Sequence, residues 1–110
     1  MAVDINDISK TIHTVAVDKG WWDTPRSFGD VMMMIVTECA EAVEHYREGK
    51  ELNKLWYEDT KPDGVPAEMA DIIIRVLDAC VQYDINIEES LVEKVRYNES
   101  RTYRHGNKLL

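Results

Sequence analysis

The fold class this sequence predicts is all-α, an antiparallel four-helix bundle, and three observations predict it. Apolar residues recur at spacings of three and four over most of the chain, and helix-starting and helix-ending residues punctuate that pattern at four places. Only one run looks strand-like, Ile72-Ile73-Ile74, and no second run exists to pair with it. Its flanks keep helical periodicity, so it too belongs to a helix. A chain of 110 residues suffices for one modest core, and residues 1–110 are read as a single domain.

The first helix runs from about Asp4 to Lys19, with Ile5, Ile8, Ile12 and Val15 on one stripe and Gly20 placed to end it. A second begins near Pro25 or Ser27, where Ser27-Phe28-Gly29-Asp30 resembles an N-capping segment, and continues to about Gly49. Its stretch from Val31 to Val36 is apolar all round, as in an inner helix. Residues 50–64, with Asn53, Pro62, Asp63 and Gly64, read as a long connection with room for a short turn around Leu55 to Tyr57. The third helix starts near Pro66 and continues through Val76, Leu77, Cys80 and Val81 to about Tyr83. For the fourth, Asn86 followed by Glu89 supplies a capping-box-like start, Ile87, Leu91 and Val95 the buried stripe, and Arg101 the approximate end. Inner helices this apolar, in so small a domain, call for a partner surface to bury Met32, Met33, Met34 and the isoleucine run. A homodimer or homotetramer is therefore expected.

No apolar run approaches the ~20 residues of a membrane span, and Met1 to Gly20 lacks the basic and apolar regions of a signal peptide. A cytoplasmic protein is the expectation, and Cys39 and Cys80, inside apolar helical patterns, read as reduced core residues. The net charge of −8 argues against a nucleic acid polymer as partner. That charge is uneven: Glu38 to Asp78 holds eleven acids and five bases, whereas Lys94 to Lys108 holds five bases and one acid, Glu99. An acidic centre and a basic end suit a metal–phosphate ligand.

The acids of the centre are patterned. Glu38 and Glu41 stand three apart on the second helix, and Glu68 and Asp71 repeat the spacing on the third. Each pair lies ~4.5 Å apart along its axis, on one side of its helix. Residues 42–67 are chain enough to end one helix and return antiparallel, and at the usual interaxial distance of ~8–10 Å four carboxylates then converge. Two unit charges at 4 Å repel by about 4 kcal/mol at an effective dielectric near 20, a conflict that a cation removes. Oxygen ligands without Cys or a paired Glu-x-x-His favour Mg²⁺, with Mn²⁺ as substitute, over zinc or di-iron. The bland alternative is a pair of solvated stripes, Glu38-Glu41-His45-Glu48 and Glu68-Asp71-Arg75-Asp78-Gln82. Against it, neither acidic pair has a lysine four residues on, as solvated helix faces commonly do.

Glu38-Cys39-Ala40-Glu41 followed by Glu68-Met69-Ala70-Asp71 resembles the ExxE…ExxD mark of the all-α nucleotide pyrophosphohydrolase superfamily, in particular its compact MazG-like members. The resemblance extends from about Gly20 through Arg104-His105-Gly106. It implies Mg²⁺-dependent hydrolysis of a (deoxy)nucleoside triphosphate to monophosphate and pyrophosphate, in nucleotide-pool cleaning. The four acids would hold the metal, with Glu41, then Glu38, as the carboxylate that accepts the proton of the attacking water. Lys94, Asn98 and Arg101, spaced four and three apart on the fourth helix, would surround the nucleotide, the two cations meeting phosphate oxygens. Trp22 would stack the base, with Trp21 and Trp56 also available, and His45 would assist from behind the carboxylates, His13 and His105 having weaker claims. Ala42 stands where many members carry another acid. No Gly-rich phosphate loop is present. The rival readings are a non-catalytic acidic helical interaction module, and a phosphoribosyl-ATP or nucleoside diphosphate-cleaving enzyme on the same bundle.

Overall fold

The computed structural model describes residues 2–110. Helix α1 (Ile5–Asp18) begins at Asp4, whose carboxylate accepts the Asp7 N–H at 3.0 Å, and α2 (Phe28–Arg47) at Ser27, whose hydroxyl accepts the Asp30 N–H at 3.0 Å. Each cap satisfies one of the donors that a helix start leaves open. Helix α3 (Val65–Gln82) carries Pro66 in its first turn, and α4 (Ile87–Ser100) starts at Asn86, whose side chain accepts the Glu89 N–H at 3.1 Å. A last short turn, α5 (Arg104–Asn107), is kinked at His105 and Gly106 and carries no periodic signal.

The connection between α2 and α3 is where the all-α expectation is corrected. It folds into an antiparallel hairpin, β1 (Trp56–Glu58) and β2 (Lys61–Asp63), with Trp56 opposite Asp63 and Glu58 opposite Lys61. Strands of three residues are too short to display a period of two, and Pro62 argues against a strand in any but an edge position. In a two-stranded sheet both strands are edges. The molecule is thus mostly helical with one small sheet.

Gly64 joins the hairpin to α3. Its φ is +105°, and a Cβ there would lie 2.6 Å from the Lys54 carbonyl oxygen and 2.7 Å from the Trp56 ring. Gly64→Ala is therefore expected to cost about 2–4 kcal/mol, through a strained backbone and a clash with rigid neighbours. Thermal unfolding checks this; an unchanged Tm would mean that the hairpin is not held against α3.

Helix α3 is central, packed on α2 along one side and on α1 along another. Both packings are antiparallel: Glu38 and His45 of α2 meet Arg75 and Glu68 of α3, and on α1 His13 meets Asp78 while Asn6, nearer the start, meets Asn86 just past the end of α3. The core is small, consisting of Val31, Leu77, Ala79 and Cys80. Helix α4 leaves this unit. Its first turn is held to α1 by Asn6, which bonds Asn86 at 3.1 Å and Glu88, but every α4 residue after Ile87 is exposed. Three helices pack side by side and the fourth does not complete a bundle.

Two further expectations are corrected here. Cys39 is exposed while Cys80 is buried, because Cys39 is rotated ~100° from Glu38, the side of α2 that faces α3. The apolar run of α2 is not enclosed either, since a single packed neighbour covers only one side of a helix. Met33 is 60% exposed and, on α3, Ile73 is 55% exposed.

Candidate metal centre

The i,i+3 spacing sets Glu38 and Glu41 one above the other on α2, and antiparallel packing brings Glu68, in the first turn of α3, across from them. One carboxylate oxygen from each of the three lies within 4.8 Å of the others. Glu38 and Glu68 are buried, at 7% and 6% exposure, whereas Glu41 is open to solvent. Asp71, one turn along α3, stands outside this trio but shares with Glu38 the wall of an adjoining cleft.

Charge is unevenly settled among them. Burial and contact with Glu41 and Glu38 push the Glu68 carboxyl up to about 7. For Asp71, burial, with repulsion from Glu38, raises the pKa as well. Glu38 goes the other way: burial opposes ionisation, but the hydrogen bond from Arg75, at 2.8 Å, outweighs it together with contacts to Glu68 and Glu41. The buried Oε2 atoms of Glu38 and Glu68 have no hydrogen-bond partner among the described residues. A buried carboxylate oxygen left unpaired is costly, and a divalent cation satisfies two of them at once. The trio fits such an ion.

The cleft beside Glu38 and Asp71 measures about 280 Å³ and lies between α1, α3 and the segment that precedes α2. Lys19, Arg26 and Arg75 supply cations to its wall, and Trp21 an aromatic ring that is 61% exposed. The Nε of Arg26 is buried and, like the two carboxylate oxygens, has no partner among the described residues. Glu38 and Arg26, of opposite charge and each with one unpartnered buried atom among the described residues, both line this cleft.

Comparisons of the chain with protein-family models, with curated proteins and with solved structures found no match.

The residues expected around a nucleotide divide into two groups. Trp22 lies against the helices: its indole N–H donates to both Asp78 oxygens, at 3.0 and 3.1 Å, its ring meets Tyr83 edge-on, and the Arg26 guanidinium stacks on it 4.1 Å from the centroid. His13 bonds the same Asp78 at 2.7 Å. Trp22 thus ties the segment before α2 to α1 and α3, and its neighbour Trp21 is the ring that reaches the cleft. Trp22→Ala is expected to cost about 3 kcal/mol, the loss of a large packed side chain plus an Asp78 left with His13 as its partner. Trp21→Ala should leave Tm within a degree; comparable drops for both would contradict this division. Lys94 and Asn98 lie on the exposed length of α4 and Arg101, half-buried, follows its last residue; Lys94 and Arg101 both approach the Tyr97 ring, and none of the three lines the cleft.

His45, assigned a supporting role, sits beside Glu68 at 3.4 Å and is also 3.0 Å from Asp63 of the hairpin. Trp56 packs edge-on against its ring at 5.3 Å. Sequence reasoning gave no role to Asp63, Arg75, Lys19 or Arg26. Arg75 carried one signal, its position four residues after Asp71; the others depend on how the hairpin and the 20–27 segment fold back.

Proposed function

We propose that this chain is a metal-dependent nucleoside triphosphate pyrophosphohydrolase that releases monophosphate and pyrophosphate. One observation carries the reading: Glu38 and Arg26, each with a buried polar atom that has no partner among the described residues, line the same cleft, and a metal–phosphate ligand would bring opposite charge to both. The reaction itself is taken from the resemblance of the ExxE…ExxD series to MazG-like enzymes.

Glu38, Glu41 and Glu68, with Asp71 adjoining, would hold Mg²⁺ or Mn²⁺. When bound, such an ion neutralises phosphate oxygens and lowers the pKa of a coordinated water. Arg26 and Lys19, which line the cleft, would draw phosphate oxygens into it. Arg75 keeps Glu38 ionised, so that its carboxylate is ready for a cation at neutral pH. Glu41, reachable by solvent, is the carboxylate that would accept a proton from water, with Glu38 next. Trp21, at the cleft mouth, is the ring better placed to stack a base, and Trp22 would orient Arg26 from beneath.

The exposed apolar residues of α2 and α3, together with Leu91, Val92 and Val95 on α4, are the surface that association of copies would bury. Pairing of two or four copies would complete a four-helix core, and Lys94, Asn98 and Arg101 would then act on a neighbour's nucleotide. A non-catalytic interaction module is the second reading, favoured by the Arg75–Glu38 and His45–Glu68 contacts, which settle part of the negative charge without metal. The reading is tested by pyrophosphate release from a panel of ribo- and deoxynucleoside triphosphates, with Mg²⁺ and with EDTA. Release only with metal supports it; none from any nucleotide favours the module, and release of other products favours a phosphoribosyl-ATP or diphosphate-cleaving relative.

A further inference from the structure

We infer that His45, Asp63 and Glu68 form a second divalent-cation site, joined to the Glu38–Glu41 trio through the shared Glu68 carboxylate and selective for a transition ion that accepts nitrogen. It rests on the proposed metal centre only for that shared ligand.

The first argument is geometric. His45 Nε2 lies 3.0 Å from Asp63 Oδ1 and 3.4 Å from Glu68 Oε1, and the three donor atoms all fall within 4.8 Å of one another. An ion bound at ~2.1 Å sets neighbouring ligand atoms ~3.0 Å apart in an octahedron and ~3.4 Å apart in a tetrahedron. A single imidazole nitrogen has one direction in which to bond, yet here it confronts two carboxylates. A cation seated among the three gives each donor its own bond.

The second argument is the unpaired atom. Glu68 is 6% exposed, with Oε1 turned to His45 and Oε2 buried without a partner among the described residues. Glu68 is also common to both groups of converging donor atoms, as a carboxylate shared by a pair of cation sites must be.

The third is that the surroundings hold these ligands in place. Trp56 and Asp63 are cross-strand partners and so project to one face of the hairpin, the first against the His45 ring and the second against its Nε2. The Gly64 N–H donates to Asp63 Oδ1 at 2.8 Å, a contact of the kind that orients a metal-binding carboxylate. One nitrogen with two carboxylates suits Mn²⁺, Co²⁺ or Zn²⁺, whereas Mg²⁺ prefers oxygen throughout. The trio and this site would therefore differ in ion preference.

The test is Co²⁺ titration of the full chain, followed by calorimetric stoichiometry and by proton NMR for a paramagnetically shifted imidazole N–H. Wild type should bind two equivalents and show the shifted resonance, and excess Mg²⁺ should displace one equivalent but not the resonance. His45→Ala and Asp63→Asn should each lose the resonance and weaken one equivalent at least tenfold, while Glu41→Gln keeps the resonance and weakens the other. No shifted resonance in wild type, or two undiminished equivalents in His45→Ala, overturns the site and leaves His45 as a hydrogen-bond partner of Glu68. Because the wild-type resonance needs no variant to fold and no nucleotide to react, it separates this inference from the proposed hydrolysis. The resonance without any hydrolysis would sink the function and keep the site; metal-dependent hydrolysis without the resonance would do the reverse.

Discussion

Glu41→Gln is expected to lower metal-dependent pyrophosphate release by 10²-fold or more while leaving the fold untouched. The two halves of this expectation have separate grounds. Glu41 is exposed, so exchanging its charge for an amide costs little stability. Its carboxylate is nonetheless one of three whose oxygens converge within 4.8 Å, and loss of a charge aimed at a reacting centre commonly costs ~10²–10³ in kcat. Glu38→Gln should be as inactive and also less stable, because Arg75 loses its ionised partner at 2.8 Å. Arg75 is 31% exposed at the side chain, so water takes over part of that loss and the cost stays below the ~3–5 kcal/mol of a fully buried pair. Activity and thermal unfolding of both variants, measured together, check the scheme. A fully active Glu41→Gln enzyme would remove that carboxylate from the centre.

The second large effect is on stability against pH, and it needs no substrate. Burial first, and then contact with Glu41 and Glu38, raises the Glu68 carboxyl from 4.5 to about 7 in the folded chain. Below pH 4.5 both the folded and unfolded forms are protonated and the group contributes nothing. Between there and about 7 the folded chain keeps a proton that the unfolded chain has released, so stability falls as pH rises, and above 7 the penalty is complete. Its size is on the order of 3 kcal/mol, with Asp71 adding in the same direction. Glu38, held low by Arg75, contributes stability that is lost only as the pH falls through its own lowered value.

In EDTA the Tm is accordingly expected to be several degrees lower at pH 8 than at pH 5.5. Mg²⁺ should restore it at pH 8, where the carboxylates are ionised and bind the cation, and do little at pH 5.5. Glu68→Gln should raise the Tm in EDTA at pH 8 and abolish the response to Mg²⁺. A wild-type Tm indifferent to both pH and Mg²⁺ would count against a cation site and for the interaction module.

Four helices, two of their starting caps and the two acidic pairs were legible in the chain because each is decided within a few residues. A Ser or Asn side chain caps the N–H three positions on, and an i,i+3 spacing stacks two carboxylates whatever the helix packs against. What lies across from them was not legible. That Arg75 meets Glu38, that Trp21 and not Trp22 reaches the cleft, and that Asp63 arrives beside His45 all depend on the rotation of each helix about its axis and on a hairpin too short to show a period. The departure of α4 from α3 also belongs to the tertiary structure: an apolar stripe states that a helix has something to bury, and not against which surface. The unpaired oxygens of Glu38 and Glu68 are the furthest from the sequence, since an atom is left without a partner only by the complete packing around it. The chain alone determined which acids share a helix face; the fold decided what meets them, bringing Asp63 beside His45 and Arg26 and Lys19 to one cleft with Glu38, because convergence is a matter of side-chain direction in three dimensions and spacing along one helix supplies only its own face.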